Sequence, residues 1–251
     1  MRILLVNANT SELVTAKVLA GARAAAAADA EVAAVTGTFG AQVIGTRSEQ
    51  AIAEHSTIAL VSRHAQGFDA VVIAVSHDTG LRAARELLEI PVVGMTEAGL
   101  LTACMLGGRI GMIVFGRRVL PMYQEVVASY GLAERIAGWR VLESTVPYSQ
   151  VSHPELDAAI VAETNVLVEQ AGAESVLVTG AVMAGVPARL QHAVPVPLVD
   201  CIACGVRQAH LLATLRFPTP RAGSYAAPAD RSLSGVDAAI LARFRRDPAD
   251  S

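Results

Sequence analysis

Residues 71–86 read VVIAVSHDTGLRAARE. The apolar run Val71–Val75 stops at Ser76-His77-Asp78-Thr79, Gly80 follows, and a helical pattern begins. A near-continuous apolar run is what a strand covered on both faces requires, as in a parallel sheet. The design recurs in VLVTGAVMAGV (176–186): a strand, a small or polar tip, then glycine and a helix. About ten residues on, IPVVGM (90–95) and VPLVDC (196–201) each open a helix, and RILLVNANT (2–10) corresponds to RIGMIVFGRR (109–118). Helical patterns fill the gaps at 11–28, 48–66, 80–89, 97–107, 118–130, 154–171, 185–192 and 201–215, and 29–45 and 137–149 have room for one further strand each.

Strand alternating with helix, twice over, predicts an α/β chain of two similar doubly wound subdomains. Their parallel sheets face a central cleft across a pseudo-twofold axis, because ligands of open α/β sheets bind at strand C-terminal ends. The expected boundaries are 1–97 plus 208–251 for the first subdomain and 98–207 for the second. The tail FPTPRAGSYAAPADRSLSG (217–235) reads as extended chain over a surface, with a short last helix at 235–245.

The chain has 251 residues and is 53% hydrophobic, enough for a sizeable core. A net charge of −3 gives no basic field for nucleic acid. The longest apolar runs fall short of the roughly 18 residues of a membrane span, and the opening run Ile3–Val6 is too short for a signal peptide. A cytoplasmic protein with a small-molecule substrate is expected. There is no G-x-G-x-x-G after a strand and no Walker loop, so no nucleotide cofactor is expected. Cys104, Cys201 and Cys204 form neither a disulfide framework nor a zinc-finger spacing, and no metal is expected.

NANTS (7–11), VIAVSHDTGL (72–81), IPVVGMTEA (90–98), GMIVFGRRVLPMYQEVVASYGL (111–132), VTGAVMAG (178–185), PLVDCIACGV (197–206) and RAGSYAAP (221–228) stand in the order seen in the aspartate/glutamate racemase superfamily. The sequence most resembles the hydantoin and allantoin racemase branch, over nearly its whole length. The resemblance implies two similar α/β subdomains, a cofactor-independent site between them, and a homo-oligomer. It also implies two catalytic cysteines, one per half: one thiolate removes the α-proton of the substrate and the other thiol returns one.

Those cysteines are missing. The family's first thiol lies in a pattern like I-A-C-x-x-D-P-G, which matches Ile73 to Gly80 and puts Val75 at the cysteine position. The second lies in a pattern like G-C-A-G-M-A, which matches Thr179 to Ala184 and puts Gly180 there. Pairing the internal repeats independently sets Val75 opposite Gly180. Neither residue can exchange a proton. Cys104 reads as a buried small hydrophobe. Cys201 and Cys204 open a helix, where a redox pair or a part of the cleft wall are both open readings.

The remaining proton-moving groups are at 76–79. His77 suits general base work near neutral pH, or is a solvated loop histidine. Asp78 orients it, acts as base itself, or caps the next helix with Thr79. Ser76 is a hydrogen-bond donor to a substrate oxygen; no Gly-x-Ser-x-Gly elbow surrounds it. Asn9, Thr10 and Ser11 form the first strand tip and suit a carboxylate or ureide carbonyl. The resemblance favours Asn9. Gly116 and Arg117 hold the matching tip in the second half, where Arg117 or Arg118 can pair with an anion. Phe115-Gly116 departs from the small hydroxyl residues common there in the family. Val75, Gly180 and Ala181 line the expected cleft, and Asp200 orients substrate or caps the last helix. His153 in VSHPELD reads as a helix start.

Gly180 leaves one face of the substrate bare, so a one-base reaction fits better than racemisation. The resemblance offers a precedent in arylmalonate decarboxylase, which keeps one cysteine and has glycine at the other position. The expected function is therefore a cofactor-independent isomerase or lyase acting at a carbon next to a carbonyl of a small carboxylate or cyclic ureide. The alternatives are a hydrolase or lyase in which His77 activates water, and a non-catalytic ligand-binding protein.

Overall fold

The computed structural model describes residues 1–143, 154–228 and 232–244. His153 lies outside them. The first half runs β1 (Arg2–Asn7), α1 (Glu12–Ala25), β2 (Glu31–Thr36), α2 (Arg47–His64), β3 (Ala70–Ile73), α3 (Leu81–Leu87), β4 (Val92–Gly94) and α4 (Met95–Leu106). The second runs β5 (Ile110–Phe115), α5 (Leu120–Ser129), β6 (Ile136–Leu142), α6 (Pro154–Ala171), β7 (Ser175–Val178), α7 (Val186–Leu190), β8 (Leu198–Asp200) and α8 (Cys201–Leu215), followed by α9 (Ala238–Phe244). The strand at 31–36 lies within the segment 29–45, and the strand at 136–142 begins one residue before the segment 137–149, the two places where the sequence had room for one.

Each half builds a four-stranded, all-parallel sheet. The strand orders are β2-β1-β3-β4 and β6-β5-β7-β8, the same path displaced by four strands. Register places Ile73 beside Gly94 in one sheet and Val178 beside Asp200 in the other, so both sheets end their central strands next to a strand that turns directly into a helix. Alternate residues of β1 enter different cores: Ile3 and Leu5 one, Leu4 and Val6 the other. That two-sided burial is the reason these strands read as continuous apolar runs.

The halves exchange their last helices. Helix α4 follows β4 of the first sheet but packs on β7 of the second, while α8 follows β8 and packs on β3, β4 and α1 of the first. The two helices meet between the sheets, in the core that joins Leu5 and Val72 to Met112 and Leu177. Their approach needs a residue without a side chain: a Cβ at Gly99 would lie 2.6 Å from Leu177 Cδ1 and 2.9 Å from Cys201 Sγ.

Caps set where the helices begin. Ser11 Oγ accepts from Val14 N (3.3 Å) at the start of α1, and Thr46 Oγ1 from Glu49 N (3.2 Å) at the start of α2. Asp200 does the same for α8, through Ile202 N (2.9 Å) and Ala203 N (3.1 Å). Among the described residues no helix is long and apolar enough to cross a membrane.

Candidate active site

The C-terminal tips of the two sheets face one another across a cavity of about 280 Å³. The first half contributes Asn9 after β1 and Val75-Ser76-His77 after β3. The second contributes Phe115 at the end of β5, Gly116 and Arg118 just beyond it, Tyr123 of α5, and Thr179 to Val182 after β7. The β2–α2 loop covers one side with Val43, Ile44 and Gly45. The volume lies at the lower edge of small-ligand sites, which span roughly 300–1,000 Å³.

His77 is the central ionisable group. It is 4% exposed, and neither ring nitrogen has a hydrogen-bond partner. Its ring centroid lies 4.6 Å from that of Tyr123, tilted by 48°. Burial alone pushes its pKa down to about 4, so the imidazole is neutral at neutral pH. Two unpaired buried nitrogens are costly, and the loop carries that cost at the edge of a cavity.

Around His77 the polar groups come from both halves. Ser76 Oγ accepts from Ala181 N at 3.2 Å, tying the two strand tips together, and its carbonyl accepts from Thr96 Oγ1 at 2.6 Å. The buried Tyr123 phenol is directed at the hydroxyls of Ser76 and Thr179, and burial raises its pKa. The Thr179 hydroxyl is buried without a well-formed hydrogen bond. Asn9 Oδ1 receives Asn7 Nδ2 and Ser11 N, both at 2.9 Å. Two donors on one atom identify it as the oxygen and leave the Asn9 amide NH₂ as the free donor on the cavity wall.

Val75 and Gly180 both line the cavity. Gly180 sits at φ 95° and ψ 122°, where an L-residue is strained, although a Cβ there would meet nothing closer than Met183 Cγ at 3.6 Å.

Other residues expected at the site have structural tasks. Asp78 turns away from the cavity: Oδ1 accepts from Thr96 N (2.9 Å), and Oδ2 from Glu97 N (2.8 Å) and Tyr130 Oη (2.7 Å). It caps α4 rather than its own helix α3, because its φ of 48° swings the carboxylate towards β4. It makes no bond to the His77 ring. Thr79 is buried behind the tip, its carbonyl accepting from Thr57 Oγ1 (2.8 Å). Ser11 is spent as the cap of α1, and Thr10 N bonds Ala41 O at 3.1 Å. Arg117 points to solvent and pairs with Glu143 (3.4 Å), so Arg118 is the cation at the cavity rim. Asp200 caps α8 and accepts from Gly185 N at 2.6 Å. Cys201 is buried with Sγ 4.0 Å from Val178 O, and burial pushes its thiol well above the ordinary value. Neither Cys201 nor Cys204 lines the cavity. Among the described residues no three His, Cys, Asp or Glu side chains cluster as metal ligands.

Asp78 gives a direct prediction. Asp78→Ala leaves two backbone N–H groups and the Tyr130 hydroxyl unpaired and should cost about 3 kcal/mol or more, read from urea unfolding. Burial, opposed by the three donors, raises the folded pKa to about 7, above its ordinary value near 4. The folded state therefore holds the proton more tightly. The stabilisation from this protonation is complete below pH 4 and disappears as pH rises through 7. The stability of the protein relative to Asp78→Asn should fall by up to about 1.4 kcal/mol per pH unit across that window. A flat difference would show that the carboxyl ionises as it does in the unfolded chain.

Tyr123 and Thr179 were not singled out from the sequence. Tyr123 sits seven residues past the strand tip in an ordinary amphipathic helix, and only the approach of α5 to the first half brings it over His77. For Thr179 the internal repeat held an unused signal: it aligns with Ala74, a hydroxyl where the first half has a methyl.

Two parallel-sheet halves with exchanged helices and facing strand tips define a racemase-like α/β fold. The chain belongs to the Asp/Glu/Hydantoin racemase family, whose model matches residues 3–209. It is similar to the hydantoin racemase of Pseudomonas sp. (strain NS671), 29% identical over 241 residues, 94% of this chain and 95% of that protein. Among solved structures it superposes on allantoin racemase from Klebsiella pneumoniae with a TM-score of 0.88 at 28% identity, covering 96% of this chain and 98% of that one. Allantoin racemase from Pseudomonas fluorescens gives 0.87 at 30% identity, covering 94% and 100%. Arylmalonate decarboxylase shares the fold, with a TM-score of 0.62 at 19% identity over 88% of this chain and 96% of that one.

Proposed function

We propose that this chain is a cofactor-independent isomerase- or lyase-type enzyme. It moves a proton at a carbon next to a carbonyl in a small carboxylate or cyclic ureide, and His77 acts in place of the missing thiol pair. The observation that carries this reading is the buried, neutral, unpartnered imidazole beside a small cavity between facing strand tips. The names of its relatives, hydantoin racemase and allantoin racemase, support a cyclic ureide as the first substrate to try. Subdomains 1–97 plus 208–251 and 98–207 would each supply one wall, within a cytoplasmic homo-oligomer.

The chemistry follows from the lining. A neutral imidazole nitrogen takes the α-proton, and the electron pair of the C–H bond moves onto the carbonyl oxygen. Hydroxyls of Ser76, Tyr123 and Thr179 and the amide of Asn9 are the donors available to that oxygen. The basicity that matters is the one with the enolate alongside, because an adjacent negative charge favours the imidazolium. Both nitrogens are shielded in the resting orientation, so the ring must turn to meet substrate. The imidazolium then returns the proton to the same face. Where the substrate carries a second carboxylate, loss of CO₂ generates the same carbanion.

Proton NMR in D₂O tests this. Single enantiomers of 5-substituted hydantoins and of allantoin, with aspartate, glutamate and arylmalonates, are incubated with the protein. Exchange of the α-proton in one enantiomer with retained configuration, or decarboxylation, is expected. Full racemisation of either enantiomer would overturn the single-base reading. Binding without any exchange or new product would leave a ligand-binding protein.

A further inference from the structure

Helix α5 belongs to the second half, yet one of its faces is fastened to the first. Tyr123 on α5 and Tyr130, the residue in helical conformation that caps its C-terminal end, are seven residues apart, about two turns of backbone. They meet two adjacent residues of the β3 tip. Tyr123 lies against the His77 ring at 4.6 Å, and Tyr130 Oη donates to Asp78 Oδ2 at 2.7 Å. The Asp78 end of this clasp is rigid: its carboxylate is held by the Thr96 and Glu97 amides at the start of α4. Two further ties join α5 to the first half, Arg82 Nη2 to Ser129 O (3.1 Å) and the surface pair Arg47–Glu125. Both of these ties are exposed, the pair Arg47–Glu125 with side chains about 60% accessible, so they fix little. Tyr130 is the half-buried anchor.

We propose that Tyr130 is a positioning residue: its bond to Asp78 sets the register of α5 against the β3 tip and thereby keeps Tyr123 closed over the His77 imidazole. The bond links a fixed point, the capped start of α4, to the end of the helix that carries Tyr123. Loss of the hydroxyl frees that end of α5 to lift, which uncovers His77 to water. The proposal concerns placement of the imidazole and holds for whichever reaction the site performs.

The structure also provides the readout. Burial is the cause of the depressed basicity of His77; the titratable and charged groups around it are Tyr123 of α5, Asp78 of its own loop and Arg118 on the rim of the same cavity. Its titration therefore reports coverage by α5. The test is NMR titration of His77 in the wild-type protein, Tyr130→Phe and Arg82→Gln. The ring-current shift of its Hε1 under Tyr123 is followed in the same spectra.

In Tyr130→Phe the His77 midpoint should rise by one pH unit or more towards 6.5 and the ring-current shift should shrink. Arg82→Gln should leave both unchanged. A melting temperature lowered in Tyr130→Phe with the His77 midpoint and shift unchanged would make Tyr130 a purely structural residue and overturn the proposal. If Tyr130→Phe fails to fold, the temperature dependence of the wild-type spectra decides. Loss of the His77 ring-current shift together with the Tyr130 hydroxyl-proton signal, before global unfolding, supports the proposal, and loss of one without the other overturns it.

Discussion

His77→Ala should reduce α-deuterium incorporation by roughly 10²- to 10⁴-fold, the usual contribution of a positioned general base, while ligand affinity changes by only a few-fold. The reason is the shortage of alternatives. Of the titratable side chains lining the cavity, Tyr123 is raised further from neutrality by burial and Arg118 is a permanent cation. Asp78 is fully engaged with α4 and Tyr130. The same residue should show the opposite sign in stability. His77→Phe fills the space against Tyr123 and removes two unpaired buried nitrogens, so it should raise the unfolding free energy by about 1–3 kcal/mol. An inactive and stabilised His77→Phe is the signature of a polar group kept for chemistry. If exchange persists in His77→Ala, the proton is moved by another group. If His77→Phe is destabilised, the imidazole is a satisfied core residue, not a strained one.

Placing thiols at 75 and 180 should introduce, in two stages, the two-thiol chemistry that the proposed reading takes to be missing. Val75→Cys places a thiol on the first wall with little change of volume, and should raise α-proton exchange about tenfold or more for one enantiomer. Adding Gly180→Cys supplies the second face, and both enantiomers should then racemise. The second substitution carries a backbone cost, because residue 180 has φ 95°. It should lower stability by about 1–3 kcal/mol relative to Val75→Cys alone. Polarimetry with each hydantoin enantiomer, alongside thermal unfolding, reads both effects. A folded double variant whose thiols are alkylated by iodoacetamide but which racemises nothing would remove the cavity from consideration as a proton-transfer site.

The fold was legible because burial on both faces leaves its mark on local sequence. Runs such as Val71–Val75 and Ile110–Phe115 have no polar alternation, and that alone points to a covered parallel sheet. The repeat of strand, tip, glycine and helix then gave two halves. The cavity's inner wall was legible for the same reason: Val75, Ser76, His77, Gly180 and Ala181 directly follow the central strands, and strand ends face ligands in open α/β sheets.

What followed from sequence alone, then, was the pair of parallel sheets, the facing tips, and the absence of thiols at 75 and 180. Each is written in the order of residues within a few turns of chain. The direction of each side chain at the tips came only from the tertiary structure. Asp78 and His77 are neighbours in sequence, but a backbone φ of 48° sends one carboxylate to cap a helix beginning at residue 95 and leaves the other side chain against the cavity. Thr10 and Ser11 share the first tip with Asn9, yet only Asn9 reaches the cavity wall. Tyr123 and Tyr130 carry no local signal at all. Their roles depend on the exchange of α4 and α8 and on the placement of α5 across the halves, contacts between residues tens of positions apart that local patterning does not encode.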